Sequence, residues 1–228
     1  MSSWWLYNLW TDDPALAVSW VFWVIFSICI HELAHGYVAI KCGDPTPLDT
    51  GHMTWNPMVH MGGLSLLVFL ATGFTWGMMP VDPSRFRGKY DDAKVAFAGP
   101  LSNFILFISM SVAAALWIVL ATSVQEPARK NIETFLTVGA AFNCGIGLLN
   151  LLPIPPLDGS KILGNFIPSF RRLYSSDKGP LVSLIILVLF MLTVGKYFCH
   201  VTLGIGHLTV LLLAEALRLV VPGAAPAP

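Results

Sequence analysis

Long runs without a charged residue decide most of what this chain can become. A helix needs about 20 largely apolar residues to cross the hydrocarbon core of a bilayer, and several stretches reach or approach that length. Ala15 to Ile30 has no charge, and its helical run continues to about Ile40 through His31, Glu32 and His35. Val59 to Val81 holds His60 as its one titratable side chain. Val95 to Val124 and Thr134 to Leu157 are uncharged. Gly179 to Gly195 and Tyr197 to Ala214 follow, parted by Lys196. These runs predict an all-α polytopic membrane protein, a bundle of five to six transmembrane or re-entrant segments with a short loop or strand region after the first span.

Composition agrees. Of the 228 residues, 55% are hydrophobic and 11% charged, where a soluble domain carries about a quarter. The net charge is zero, so no basic footprint points to nucleic acid. Cys29, Cys42, Cys144 and Cys199 form no Cys-x-x-Cys pair, which argues against both a disulfide framework and a cysteine metal site. Residues 1–221 read as one integral-membrane domain and 222–228 as a disordered tail. The first residues lack the basic start of a signal peptide, and Met1 to Trp10 reads as an interfacial aromatic lead-in. Lys41 to Pro57 reads as loop with some strand, and Glu126 to Glu133 as a tight turn.

The chemistry stands inside the first span, in His31-Glu32-Leu33-Ala34-His35. Four residues along a helix are little more than one turn, so both imidazoles lie on one face and can share one metal ion. Glu32 stands beside them, placed to take a proton from water that the metal activates. Three ionisable residues in an otherwise apolar span are expensive, at about 3 kcal/mol for each charge. A bound cation compensates them better than an interfacial polar cluster would.

Catalytic zinc commonly takes three protein ligands, so a third must come from elsewhere. His52, His60, His200, His207 and the few acids near spans are candidates. Asp158 is the strongest, at the end of Asn150-Leu-Leu-Pro-Ile-Pro-Pro-Leu-Asp158-Gly159. Three prolines in four positions prevent a regular helix there. An ordinary Asp-Gly turn is the plainer reading.

Taken together, His31 to His35, Ala98-Gly-Pro-Leu-Ser-Asn103 and Asn150 to Gly159 resemble the site-2 protease family of intramembrane zinc metalloproteases, in the compact form without an added regulatory domain. The similarity extends through Gly73 to Trp76 and Pro80 to Pro83, although the loop Gly77-Met-Met-Pro-Val-Asp-Pro83 departs from the fuller family pattern. The resemblance implies one zinc ion held by His31, His35 and Asp158, with Glu32 as general base. Because a transmembrane helix hides its carbonyls in internal hydrogen bonds, the expected partner is a membrane-protein substrate with a helix-destabilised segment.

The basic residues constrain topology. If Val59 to Val81 dips in and returns, loops 41–58, 82–94 and 159–178 share one face. That face then carries Lys41, Arg85, Arg87, Lys89, Lys94, Lys161, Arg171, Arg172 and Lys178, nine of the thirteen basic residues. The positive-inside rule makes it cytoplasmic. A full crossing would separate His35 from Asp158, so a re-entrant segment is expected, with zinc on the cytoplasmic side of the cell membrane's midplane. Asn103 and Asn150 are amides in apolar runs that could serve a tetrahedral oxyanion or hold substrate backbone, or simply join helices. His60 reads as interfacial, and His200 and His207 as core. A zinc transporter would need polar residues along several helices, and an inactive scaffold would have lost a ligand or the Glu.

Overall fold

Asp13 and Pro14 fix where the first span begins. The Asp13 carboxylate accepts a hydrogen bond from Leu16 N at 3.0 Å, and Pro14 takes the first helical position, where a missing N–H does no harm. The structure is a computed structural model and describes residues 4–174, 176 and 178–221. Helix α1 (Trp5–Asp12) leads into α2 (Pro14–Cys42), which carries the His-Glu-x-x-His turn and stops at Gly43 in the left-handed conformation. Then come α3 (Thr46–Asp49), α4 (Pro57–Thr72), α5 (Asp91–Leu120), α6 (Ala128–Asn150) and α7 (Asp158–Phe166). The chain continues through α8 (Pro168–Tyr174), α9 (Gly179–Thr193) and α10 (Gly195–Val220). The tail 222–228 lies outside the described residues.

The fold is all-α, as the uncharged runs require. Helices α2, α5, α6 and α10 are long and apolar enough to cross a bilayer, while α4 and α9 are apolar but shorter. Among the described residues the stretch after α2 contains loop and the short α3 but no strand. The turn expected at Glu126 to Glu133 lies earlier, because α6 already begins at Ala128 and takes Arg129, Lys130 and Glu133 into its first turns.

Helices α2, α5 and α6 pack on one another, and α10 lies against α5 and α6. Small side chains permit this approach: Ala114, Ala140 and Val210 form one buried cluster, and Ala115, Val119 and Ala214 another. Large apolar side chains such as Leu189, Leu192, Leu211, Leu212 and Leu219 are left exposed on the outside. Hydrocarbon suits such a surface, and water does not.

The segment after α2 returns to the end it left. Helix α4 is broken at Gly62 (φ 67°) and ends at Gly73 (φ 80°), after which the chain runs back alongside it. Trp76 bonds through both N and O to Ser65 Oγ, at 3.0 and 2.7 Å, and Met78 N donates to His60 O at 2.9 Å. The far end meets α1, where Trp4 and Trp5 donate their indole N–H groups to Leu70 O. At the near end, Arg87 N donates to Cys42 O at 3.2 Å and Asp82 N donates to Asp44 Oδ2 at 2.7 Å. The chain around residues 42–44 and 82–87 is thereby clasped together.

Asp44 makes that clasp. It is fully buried, and its other oxygen accepts from Thr46 N and Thr46 Oγ. Burial alone would raise its carboxyl pKa, but the hydrogen bonds from Thr46 and Asp82 outweigh it and hold the group below its usual range. The carboxylate's contribution is therefore complete above about pH 4 and is lost as pH falls through the depressed value. Asp44→Ala should destabilise the fold by about 2–3 kcal/mol, since charge-assisted hydrogen bonds are lost and backbone donors stranded. Melting curves in detergent between pH 7 and pH 3 should show a weaker acid dependence in Asp44→Asn than in the wild type. Identical acid limbs would contradict this role.

Candidate metal centre

Two elements far apart in sequence supply the centre. His31 and His35 lie one turn apart on α2, and Asp158 opens α7, 127 residues after His31. All three side chains are buried. His31 Nε2 is 3.0 Å from His35 Nε2 and 3.0 Å from Asp158 Oδ2, and His35 Nε2 is 3.2 Å from the same oxygen. The three lie close enough together to bind one metal ion, and they form the one such group among the described residues.

The outward nitrogens decide what the inward ones can do. His31 Nδ1 stands 2.7 Å from Asn103 Oδ1, and His35 Nδ1 stands 2.6 Å from the Val95 carbonyl oxygen. Both partners are acceptors, so in each neutral ring the proton sits on Nδ1 and Nε2 keeps its lone pair. Two imidazole lone pairs then face each other and a carboxylate with no proton between them, an arrangement that a cation resolves. The spacing suits one. Ligands about 2.0–2.1 Å from a tetrahedral zinc lie about 3.3 Å from each other, close to the separations here.

Two glycines provide the room. A Cβ on Gly99 of α5 would press on both Nε2 atoms, standing 2.5 Å from that of His31, so the ion's place is open only because position 99 has no side chain. Gly159 does the same for the carboxylate. Any Cβ there would strike the Leu151 and Leu152 backbone at the end of α6, and this close approach seats the start of α7 beside α6. The proline-rich segment 151–157 is non-helical, as its composition demands. Asp158 Oδ1 turns away from the imidazoles towards Lys161 Nζ, 3.9 Å distant, which leaves Oδ2 as the inward oxygen.

Glu32 is buried beside this group, with Oε1 close to Gly77 on the irregular segment that runs back along α4, the two forming a hairpin. Its carboxylate has no hydrogen-bond or ion-pair partner among the described residues. Asn103 is fully buried and committed at both ends, to His31 through Oδ1 and to Asn143 Oδ1 through Nδ2 at 3.0 Å. It holds the His31 ring through its oxygen and spends one of its two amide N–H groups on Asn143. The amide of Asn150 donates to Ile146 O of its own helix at 3.2 Å and makes no bond to the three converging residues.

The other histidines lie elsewhere. His60 is buried inside the hairpin and bonds Thr54 O rather than marking an interface, and His52 bonds Thr50. His200 and His207 are exposed on α10 and not in the core. Sequence reasoning missed the specific use of Gly99, which entered as one position of the motif Ala98 to Asn103. It also missed Asn143, a third amide in an apolar span whose cost of burial was the available signal. The Val95 carbonyl had no signal at all, because every residue carries one.

The sequence model of Peptidase family M50 matches residues 19–194. The protein named "Putative zinc metalloprotease YwhC" of Bacillus subtilis (strain 168) is 31% identical over 196 residues, covering 85% of this chain and 90% of the relative. Two proteins named as the zinc metalloprotease Rip2, with the same qualifier, are each 28% identical. That of Mycobacterium tuberculosis (strain ATCC 25618 / H37Rv) aligns over 77% of this chain and 68% of its own length. That of Mycolicibacterium smegmatis aligns over 59% and 52%. No solved structure matches the chain.

Gly99→Ala tests the geometry directly. Zinc per purified chain should fall to less than about a tenth of the wild-type value, as expected when a methyl group fills the coordination space, while the helical circular dichroism stays unchanged. Full metal content in this variant would contradict the placement of the ion.

Proposed function

Because the chain belongs to peptidase family M50, we propose that it is a zinc-dependent intramembrane endopeptidase that hydrolyses peptide bonds in or near the transmembrane segments of other membrane proteins. The observation that carries this reading is the Glu32 carboxylate, without a hydrogen-bond or ion-pair partner among the described residues, next to three converging ligand atoms. A carboxylate left free beside a metal centre can take a proton from water that the metal activates.

His31 and His35 would hold the ion through Nε2, and Asp158 through Oδ2. Zinc, when bound, supplies a Lewis acid that activates water and polarises the scissile carbonyl. Glu32 takes the proton from the attacking water and delivers it to the departing amine nitrogen. Asn103 keeps His31 turned to its task. Asn150, at the end of α6, holds substrate backbone through its carbonyl oxygen and its remaining N–H.

A transmembrane helix hides its carbonyls in internal hydrogen bonds, so substrate must unwind locally before attack. Gly, Pro or Asn near the cut lowers that cost, which favours substrates with a helix-destabilised segment. The hairpin lies on Glu32 through Gly77, so unwound chain reaches the carboxylate past its returning segment.

The chain would sit in the cell membrane with the metal centre towards the cytoplasm. His35 is about 10 Å of helix rise from the Cys42 end of α2. That end adjoins the loop bearing Arg85, Arg87 and Lys89, and positive charge favours the cytoplasmic face.

Glu32→Gln reconstituted with a membrane substrate should cut about 10²–10⁴-fold more slowly than wild type, the usual worth of a general base, while keeping its zinc. A zinc chelator should abolish wild-type cleavage. Undiminished cleavage by Glu32→Gln would refute the assignment, and metal flux without cleavage would select a transporter instead.

A further inference from the structure

The His31 imidazole is held by a chain of side chains that does not end at Asn103. Asn103 Nδ2 donates to Asn143 Oδ1 at 3.0 Å, and Asn143 Nδ2 donates to the Gly139 carbonyl oxygen at 2.9 Å. Both amides are fully buried. Three helices take part: α2 with His31, α5 with Asn103, and α6 with Asn143 and Gly139.

The direction of this chain is forced from its far end. A backbone carbonyl can only accept, so Asn143 must present Nδ2 to Gly139 and therefore Oδ1 to Asn103. Asn103 must then turn Nδ2 towards Asn143 and Oδ1 towards His31. Nδ1 of His31 must carry the proton, which leaves Nε2 free to bind metal. Without Asn143, the Asn103 amide could turn over at little cost. Its Nδ2 would then face Nδ1 and favour the tautomer protonated on Nε2, which is no ligand. His35 needs no such relay, because Val95 O fixes its Nδ1 directly.

We propose that Asn143 is a positioning residue of the metal centre, fixing the ligating tautomer of His31 through Asn103. The proposal rests on the reading of His31 as a ligand. It makes α6, which contributes none of the three ligand atoms, a determinant of metal affinity. It also separates Asn143 from amides that merely join helices: such an amide would change stability and leave the ion's affinity alone.

A double-mutant cycle on the full-length protein in detergent tests it, with zinc affinity read by chelator competition and thermal unfolding followed alongside. Asn103→Leu should weaken zinc binding about 10–100-fold, as removal of a ligand's supporting partner does. Asn143→Leu should weaken it by roughly three- to tenfold, a smaller loss because it acts at one remove. The double variant should lose no more than Asn103→Leu alone, since both act on one path. In the cobalt-substituted protein, Asn143→Leu should shift the visible absorption bands. Asn143→Ala guards against effects of leucine's shape and should behave alike. Unchanged zinc affinity and an unchanged cobalt spectrum in both Asn143 variants, with only the melting temperature lowered, would overturn the relay, as would fully additive losses. His31→Ala serves as the control: if it too kept wild-type affinity, the ligand assignment itself would fail.

Discussion

Two imidazoles that spend their Nδ1 protons on outside acceptors have only lone pairs left to turn inward. In this protein those lone pairs meet each other and a carboxylate oxygen at 3.0–3.2 Å. In the neutral rings no side-chain donor stands between them, and burial removes the help of water. A cation relieves it, and the rest of the molecule is arranged around its place. Helix α2 sets the histidines one turn apart, α5 supplies both outward acceptors and the vacancy at Gly99, and the prolines before α7 bring Asp158 in from the end of α6.

The same constraint explains the hairpin. Asp158 can share a depth with His35 only if the chain between them makes a suitable number of passes, and α5 and α6 already provide two. The apolar run after α2 must therefore come back, and the clasp at Asp44 and Cys42 shows that it does. Its return brings Gly77 against Glu32. One segment thus keeps the topology even and covers the Glu32 carboxylate.

Much of this was legible in the sequence, for physical reasons that differ by residue. Charges are so costly in hydrocarbon that His31, Glu32 and His35 stood out against their span, and Pro153, Pro155 and Pro156 announced an irregular segment ending at Asp158. The return of Val59 to Val81 followed from requiring two ligands at one depth. Asn103 was singled out for its burial, but its partner could not be read, because an amide's orientation depends on what lies at its other end. Gly99 was indistinguishable from glycines that only ease helix packing, and the Val95 carbonyl left no trace. The start of α6 was misjudged because Arg129, Lys130 and Glu133 look like a loop, although a span's first turns can carry charges at the membrane surface.

The central claim is that one zinc ion is held by two imidazoles and one carboxylate. X-ray absorption at the zinc edge of the purified protein tests it most directly. The first shell should be nitrogen and oxygen at about 2.0–2.1 Å, with outer-shell scattering that fits two imidazole rings. A sulfur shell at about 2.3 Å, or a shell of oxygen without imidazole scattering, would contradict it.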